Sequence, residues 1–301
     1  MNNLPTELKL EILKCLIPAV YKLRDTIDKS KLCWDGLSFN DRAGALLLQN
    51  QDKINWIMLS HNTSEEAISL LKEKLSAIDI PSINMNPSAV QIVMDNYDHL
   101  FREYFNSNPS TINLIKSGLI PINWQFLSQN PEAIDILEKN LDKVDWSYLS
   151  RNPNAVHILK KNQNKIDWHE ITANPNAMDL IEANLDKITS WSTLSANPSA
   201  IHILKKNLDR VIWPFLARNP SGISLMEKFM KYMNMKEKMS CFITGNCILG
   251  LCQNPNALFW IEKYLSEEDT VSDICKTYIS SNPCIFEPDY KAWNLKLQRF
   301  L

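Results

Sequence analysis

Cys241, Cys247 and Cys252 cluster with five and four residues between them, and thiolates are both nucleophiles and zinc ligands. A structural zinc site is usually built from tighter Cys-x-x-Cys pairs with four ligands, and no histidine lies near these three in sequence. Buried free thiols are therefore expected. Acid–base or metal chemistry could also be sought in a column: Asp135, His157, Asp179 and His202 recur at steps of 22 or 23 residues, and so, three residues on, do Glu138, Lys160, Glu182 and Lys205. Residues at such a step start about 10 Å apart if they sit on packed helices, far beyond a metal's bond to nitrogen of about 2.1 Å. Their signs alternate instead, which reads as an inter-repeat charge ladder that sets stacking register, each exposed pair contributing roughly 0–1 kcal/mol. A third column, Lys143, Lys165, Lys187 and Arg210, has one sign and could meet an acidic partner, although Asp142, Asp186 and Asp209 beside it offset most of its field. The chain has no Gly-rich phosphate loop, no serine in a Gly-flanked turn and no His-x-x-x-His pair. No catalytic, cofactor or metal site is expected, and the chain is read as a non-enzyme.

These columns exist because the chain repeats. Asn-Pro occurs at 86, 108, 130, 152, 174, 197 and 219, a step of 22 residues with a single 23, and Trp124, Trp146, Trp168, Trp191 and Trp213 keep the same beat. Trp34 and Trp56, with Asn40 and Asn62, extend it backwards; Asn254-Pro255 and Asn282-Pro283 extend it forwards after longer intervals, giving about eleven units. Within Asp145 to Asn162, Asp145 can cap a short helix that begins at Trp146, and Asn152 can cap a second one with Pro153 in its first turn, where a missing N–H costs nothing. Ala155, Val156, Ile158 and Leu159 share one face of that second helix, with His157, Lys160 and Lys161 opposite. Asn162 is expected to be a left-handed stop, and Ile166 to return the chain to the core. Helices this short are marginal alone, so each unit must bury its apolar face on its neighbour. Strand-bearing leucine-rich repeats would need a Leu-x-Leu alternation that no unit offers.

The 301 residues are 45% hydrophobic and 22% charged, ordinary for a folded chain, with six glycines, far below the usual share of roughly 7%. A formal net charge of -2 supplies no basic field for nucleic acid, and no apolar run approaches the ~18 residues of a membrane helix. Seven cysteines and no signal-peptide pattern favour a reducing, cytoplasmic setting; Asn62-Thr63-Ser64 is then read as part of the repeat and not as a glycosylation acceptor. The tryptophans are expected to be core wedges between units. Met226, Met230, Met233, Met235 and Met239, with Phe229 and Tyr232, are expected to be soft core filler, a partner-helix groove being the alternative.

The unit built on Trp-x-x-Leu-Ser-x-Asn-Pro resembles the leucine-rich repeat variant family, which stacks an α-helix and a 3-10 helix around a similar Asn-Pro motif. Strings such as Asn-Pro-Asn-Ala-Val-His-Ile-Leu-Lys-Lys-Asn at 152–162 are also similar to tandem-repeat proteins of giant DNA viruses. These resemblances imply an all-α fold, an α-solenoid of about eleven two-helix repeats of ~22 residues, and a viral origin. At the amino end Leu4, Pro5, Glu7, Leu8, Ile12, Leu13 and Leu16, with Trp34, resemble the opening of an F-box, which implies docking to a ubiquitin-ligase scaffold. The segment reads otherwise as a capping helix, since a stack must cover its end faces. The expected organisation is residues 1–33 as amino-terminal capping helices or an F-box-like module, 34–221 as regular repeats, and 222–301 as degenerate repeats and a carboxyl-terminal cap. The curved rod so formed would be about 100 Å long. It would bind a protein partner through Leu4, Pro5, Leu8 and Ile12 or through Lys143, Lys165, Lys187 and Arg210, as a scaffold in host-cell cytoplasm, as a ligase adaptor, or as a virion component. It would need no cofactor, nucleic acid or membrane.

Overall fold

The computed structural model describes residues 6–96, 105–232, 246–268 and 271–299. The described chain is all-α, apart from one short ribbon of two three-residue strands. In the unit that opens at Asp145, the Asp145 carboxylate accepts the N–H groups of Ser147 and Tyr148 and so starts the helix Trp146–Arg151. Asn152 ends that helix in extended geometry, and its side-chain oxygen accepts the N–H of Asn154 at 3.0 Å. The second helix runs Val156–Lys161, followed by the 3-10 turn Gln163–Lys165. Leu149, Ala155, Ile158, Leu159 and Ile166 are buried; a leucine or isoleucine so placed contributes about 2 kcal/mol. Asn162 does not take the left-handed conformation expected of it. Its φ is -129°, and its amide instead donates to the Ile158 carbonyl at 2.9 Å, one turn back. Asn50, Asn140, Asn184 and Asn207 end their second helices by the same bond.

The asparagine of each Asn-Pro step joins unit to unit. Asn152 Nδ2 donates to the Ser128 and Asn130 carbonyls of the preceding unit at 3.0 and 2.9 Å, and Asn174 repeats the geometry on Ser150 and Asn152. Asn62, Asn86, Asn130, Asn219, Asn254 and Asn282 do likewise; Asn108 and Asn197 reach Asn84 and Thr172. All are buried. Each paired amide thus gives a donor to the carbonyl two residues before the neighbouring asparagine, where an unmet group would cost about 1–3 kcal/mol, and most add a second donor to the asparagine carbonyl, which already accepts the N–H three residues on.

The rungs form a closed circle. Asn40, in the first unit, donates to Ser280 and Asn282 of the last at 3.0 and 3.1 Å. Helix Trp34–Phe39 packs directly on helix Asp273–Ser281. Strand β1 (Tyr21–Leu23) pairs antiparallel with β2 (Phe286–Pro288), and Arg24 Nε donates to the Cys284 carbonyl at 2.9 Å. The open rod expected from the sequence is therefore corrected to a ring of eleven rungs. The terminal segments do not cap two separate ends: helix Thr6–Leu16 contacts helix Tyr290–Gln298, and Trp293 Nε1 donates to the Ile17 carbonyl at 3.3 Å. One end covers the other, which satisfies the same need to bury apolar faces.

Candidate interaction surface

In a closed ring of two-layered units the inner layer has the shorter circumference. The first helices of successive units lie against one another, so closely at two junctions that a Cβ would not fit: one built at Gly36 would stand 2.3 Å from the Thr277 carbonyl, and one at Gly250 2.4 Å from the Pro214 carbonyl. The second helices are bridged by long side chains instead. First helices therefore line the hole and second helices the rim.

Two positions of each first helix face away from the core. Ahead of the buried Leu-Ser step stand Asp35, Ile57, Gln125, Ser147 and His169; just before the rung asparagine stand Phe39, His61, Met85, Gln129, Arg151, Ala173 and Arg218. Their chemical character changes from unit to unit, whereas beside them the rung asparagine is constant and a buried Leu, Ile or Phe always stands three residues before it. Phe39, Ile57 and Met85 are 45%, 55% and 61% exposed on three successive units, with the His61 ring 5.7 Å from that of Phe39. Further round, Phe126 and Tyr148 pack edge to face at 6.3 Å, Arg151 pairs with Glu170, and Arg218 lies 5.7 Å from the Phe215 ring centre. The wall is apolar and aromatic over one arc and polar over the next.

The charged columns lie on the rim, and they pair diagonally. His157 meets Glu138 at 2.7 Å, His202 meets Glu182 at 3.6 Å and Lys160 meets Asp179 at 3.9 Å, each bond running from one column to the other across a junction. Asp135 pairs with Lys116 at 3.0 Å, and Lys206 rather than Lys205 reaches Glu182, at 2.6 Å. The side-by-side pairing along one column, Asp135 with His157, is replaced because a helical side chain leans toward its own amino terminus and meets the neighbour three residues off level.

Lys143, Lys165, Lys187 and Arg210 do not form a free basic edge. Each places its cation over the tryptophan that opens its own unit: Lys143 over Trp124 at 5.2 Å, Lys165 over Trp146 at 4.8 Å, Lys187 over Trp168 at 5.0 Å and Arg210 over Trp191 at 5.1 Å. Lys53 and Lys74 treat Trp34 and Trp56 alike. The tryptophans are half-buried, one face on the core and the other under a cation. A constant interval of 19 residues between cation and ring in the regular units carried this signal in the sequence.

Leu4 and Pro5 lie outside the described residues. Leu8 is 48% exposed, Ile12 is half-buried and Leu13 is buried. Residues 17–33 form β1 and the 3-10 turn Lys29–Lys31, not the second and third helices of an F-box. Cys241, Met233, Met235 and Met239 also lie outside the described residues; Cys247, Cys252 and Met226 are buried. Among the described residues no three His, Cys, Asp or Glu side chains converge to hold a metal ion, and no helix is long and apolar enough to cross a membrane. Asn62, the paper glycosylation acceptor, is a fully buried rung. The class of protein defined here is a closed all-α repeat ring with a variable inner wall. Compared with protein-family models, curated proteins and solved structures, the chain finds no match in any of the three.

Proposed function

We propose that this ring is a non-enzymatic scaffold that holds a protein partner against its inner wall. The supporting observation is the contrast within each first helix: the rung asparagine is constant and a buried Leu, Ile or Phe always stands three before it, whereas the exposed positions beside them range from apolar to charged, and Phe39, Ile57 and Met85 leave a run of large apolar side chains facing the hole. Exposed aromatic and methionine side chains beside a polar arc are the composition of a recognition surface. The similarity to giant-virus repeat strings supports a setting in infected-cell cytoplasm. Affinity capture from such cells, with the wild-type chain, an Ile57→Glu/Met85→Glu wall variant and a Leu48→Glu/Leu208→Glu rim variant, tests the reading. A partner retained by the rim variant and lost by the wall variant is expected; capture unaffected by the wall variant would sink it.

A second reading, a substrate adaptor for ubiquitin ligation, draws on the exposed Leu8 and Leu16 of the first helix, at 48% and 65%. Binding of a ligase scaffold that Leu8→Glu abolishes would favour it, and a wild-type chain that binds no such scaffold would remove it. Detection of the chain in purified particles would favour instead a structural virion component.

A further inference from the structure

The eleventh unit is assembled from both ends of the chain. Its first helix, Asp273–Ser281, and its rung, Asn282, come from the carboxyl side. Where other units lay a second helix on the rim, residues 21–31 stand instead. Thr26 Oγ1 donates to the Glu262 carboxylate at 2.6 Å, and Lys31 Nζ to the Leu265 and Glu268 carbonyls, which ties this segment to Leu258–Glu267, the second helix of the tenth unit. On its other side β1 lies against Gly44–Leu48, the second helix of the first unit. A strand fills about 5 Å of width where a helix with its side chains fills about 10 Å. The exchange leaves a hollow of about 500 Å³ between β1, the 3-10 turn Lys29–Lys31 and the first unit.

The hollow uncovers apolar side chains at positions that other units bury. Leu32 stands eight residues before its rung and is half-buried, whereas Ile54, Val144, Ile166 and Val211, at the same step from theirs, are buried. Leu46 stands six residues after Asn40 and is half-buried; Ile158, Leu180 and Ile203, six after their rungs, are buried. Leu23 and the Trp34 indole complete the apolar lining.

The charged lining has one sign. Lys29 and Lys53 are its charged side chains, both exposed, with Ser30, Gln49 and Asn50 beside them and no carboxylate. Lys29 stands eleven residues before its rung, a position held by Leu75, Leu119, Leu141 and Leu208 in other units, so a cation replaces an apolar residue here. The adjacent Asp28 carboxylate is turned to Ser30, whose N–H and hydroxyl it accepts at 2.9 and 2.7 Å. Lys53 keeps its place over the Trp34 ring, at 5.1 Å.

We propose that this hollow binds a small amphipathic anion, a medium-chain fatty carboxylate whose chain lies on Leu23, Leu32, Leu46 and Trp34 and whose head meets Lys29 and Lys53. Apolar pockets of about 300–1,000 Å³ with a few charged groups are the kind that bury such ligands. The chain removes the uncovered leucines from water, and the two ammonium groups give the carboxylate charge-assisted hydrogen bonds. A partner helix is too large, since a single turn, about 10 Å across and 5.4 Å long, would already fill the space.

Decanoate is the probe, titrated calorimetrically into the full chain. One saturable site per chain is expected. Lys29→Glu/Lys53→Glu should weaken it about tenfold or more, and decanol, which has the chain without the charge, should bind the wild type more weakly by a similar factor. Leu46→Trp, which fills the hollow, should abolish binding with wild-type circular dichroism; should it unfold the chain, the two exposed lysines decide alone. Lys165→Glu removes the same cation–indole contact in a regular unit and should bind decanoate as the wild type does. No saturable binding to the wild-type chain would overturn the proposal, as would equal binding by the Lys29→Glu/Lys53→Glu chain. An equal loss in Lys165→Glu would trace the effect to the contact with tryptophan and overturn it too.

Discussion

The Asn40 side-chain amide donates to the Ser280 carbonyl at 3.0 Å, joining residues 240 positions apart by the bond that elsewhere joins neighbours in the repeat. Its second bond, to Asn282, and the N–H of Arg42 held on its oxygen complete a rung like that of Asn152. A closed circle of such rungs has no end unit with an uncovered face, so the usual requirement for polar caps disappears.

Asn40→Ala should therefore be costly in a particular way. It leaves the buried Ser280 carbonyl without its donor, takes one of two donors from the Asn282 carbonyl, which keeps the Ile285 N–H, and removes the cap on Arg42, a loss of about 2–4 kcal/mol. Urea denaturation should show the lowered midpoint, and small-angle scattering an enlarged radius where the ring has opened. A midpoint and radius equal to wild type would mean that β1–β2 pairing and the packing of the two terminal helices hold the seam unaided.

Gly36 tests the same seam by sterics. A methyl group there would stand 2.3 Å from the Thr277 carbonyl and 2.6 Å from Ser280 Cβ, atoms of the last unit that cannot yield without moving backbone. Gly36→Ala should cost about 1–3 kcal/mol despite the helix propensity that alanine adds. A Gly36→Ala chain as stable as wild type in thermal melting would show that first and last units do not touch in solution.

The helices, their caps and the unit count could be read from the sequence because each depends on residues within one repeat: Asp145, Trp146, Asn152 and Pro153 act locally. Closure could not. Whether eleven units meet end to end depends on the small rotation between neighbours, which the sequence encodes only through side-chain packing summed around the circle. Tyr21–Leu23 and Phe286–Pro288 are too short and too far apart to announce a ribbon. Lys165 was legible as a column but not as a lid on Trp146, because charge repeated at a fixed interval looks the same whether it faces solvent or a ring. The wall positions, Phe39, Ile57 and Met85, escaped notice because their variability is their only mark.

Lys165→Ala should destabilise the ring by about 0.5–1 kcal/mol, the usual size of an exposed cation–π contact, and Lys165→Arg should retain most of it. Trp146→Ala removes both the ring's core face and its cation contact and should cost about 2–4 kcal/mol. Equal losses for Lys165→Ala and Lys165→Arg in chemical denaturation would show that the stack over Trp146 contributes nothing.

The rim pairs predict how the ring responds to acid. Asp135 is held below its ordinary pKa, first by its hydrogen bond to Lys116 and further by that ammonium's charge, with burial opposing. A carboxyl group whose pKa is lower folded than unfolded adds stability above the unfolded value, near 4, and loses it as pH falls through the folded value. With the Asp135 side chain 54% exposed, solvent screening keeps the contribution to about 0.5 kcal/mol or less at neutral pH. Asp135→Asn should thus be slightly less stable than wild type at pH 7, and the gap should close below about pH 3. It should also shrink in 1 M salt, where the screening length falls to about 3 Å. Urea titrations at pH 7 and pH 3, each with and without salt, measure the gap. A difference that persists undiminished at pH 3 would assign the effect to something other than the charge on Asp135.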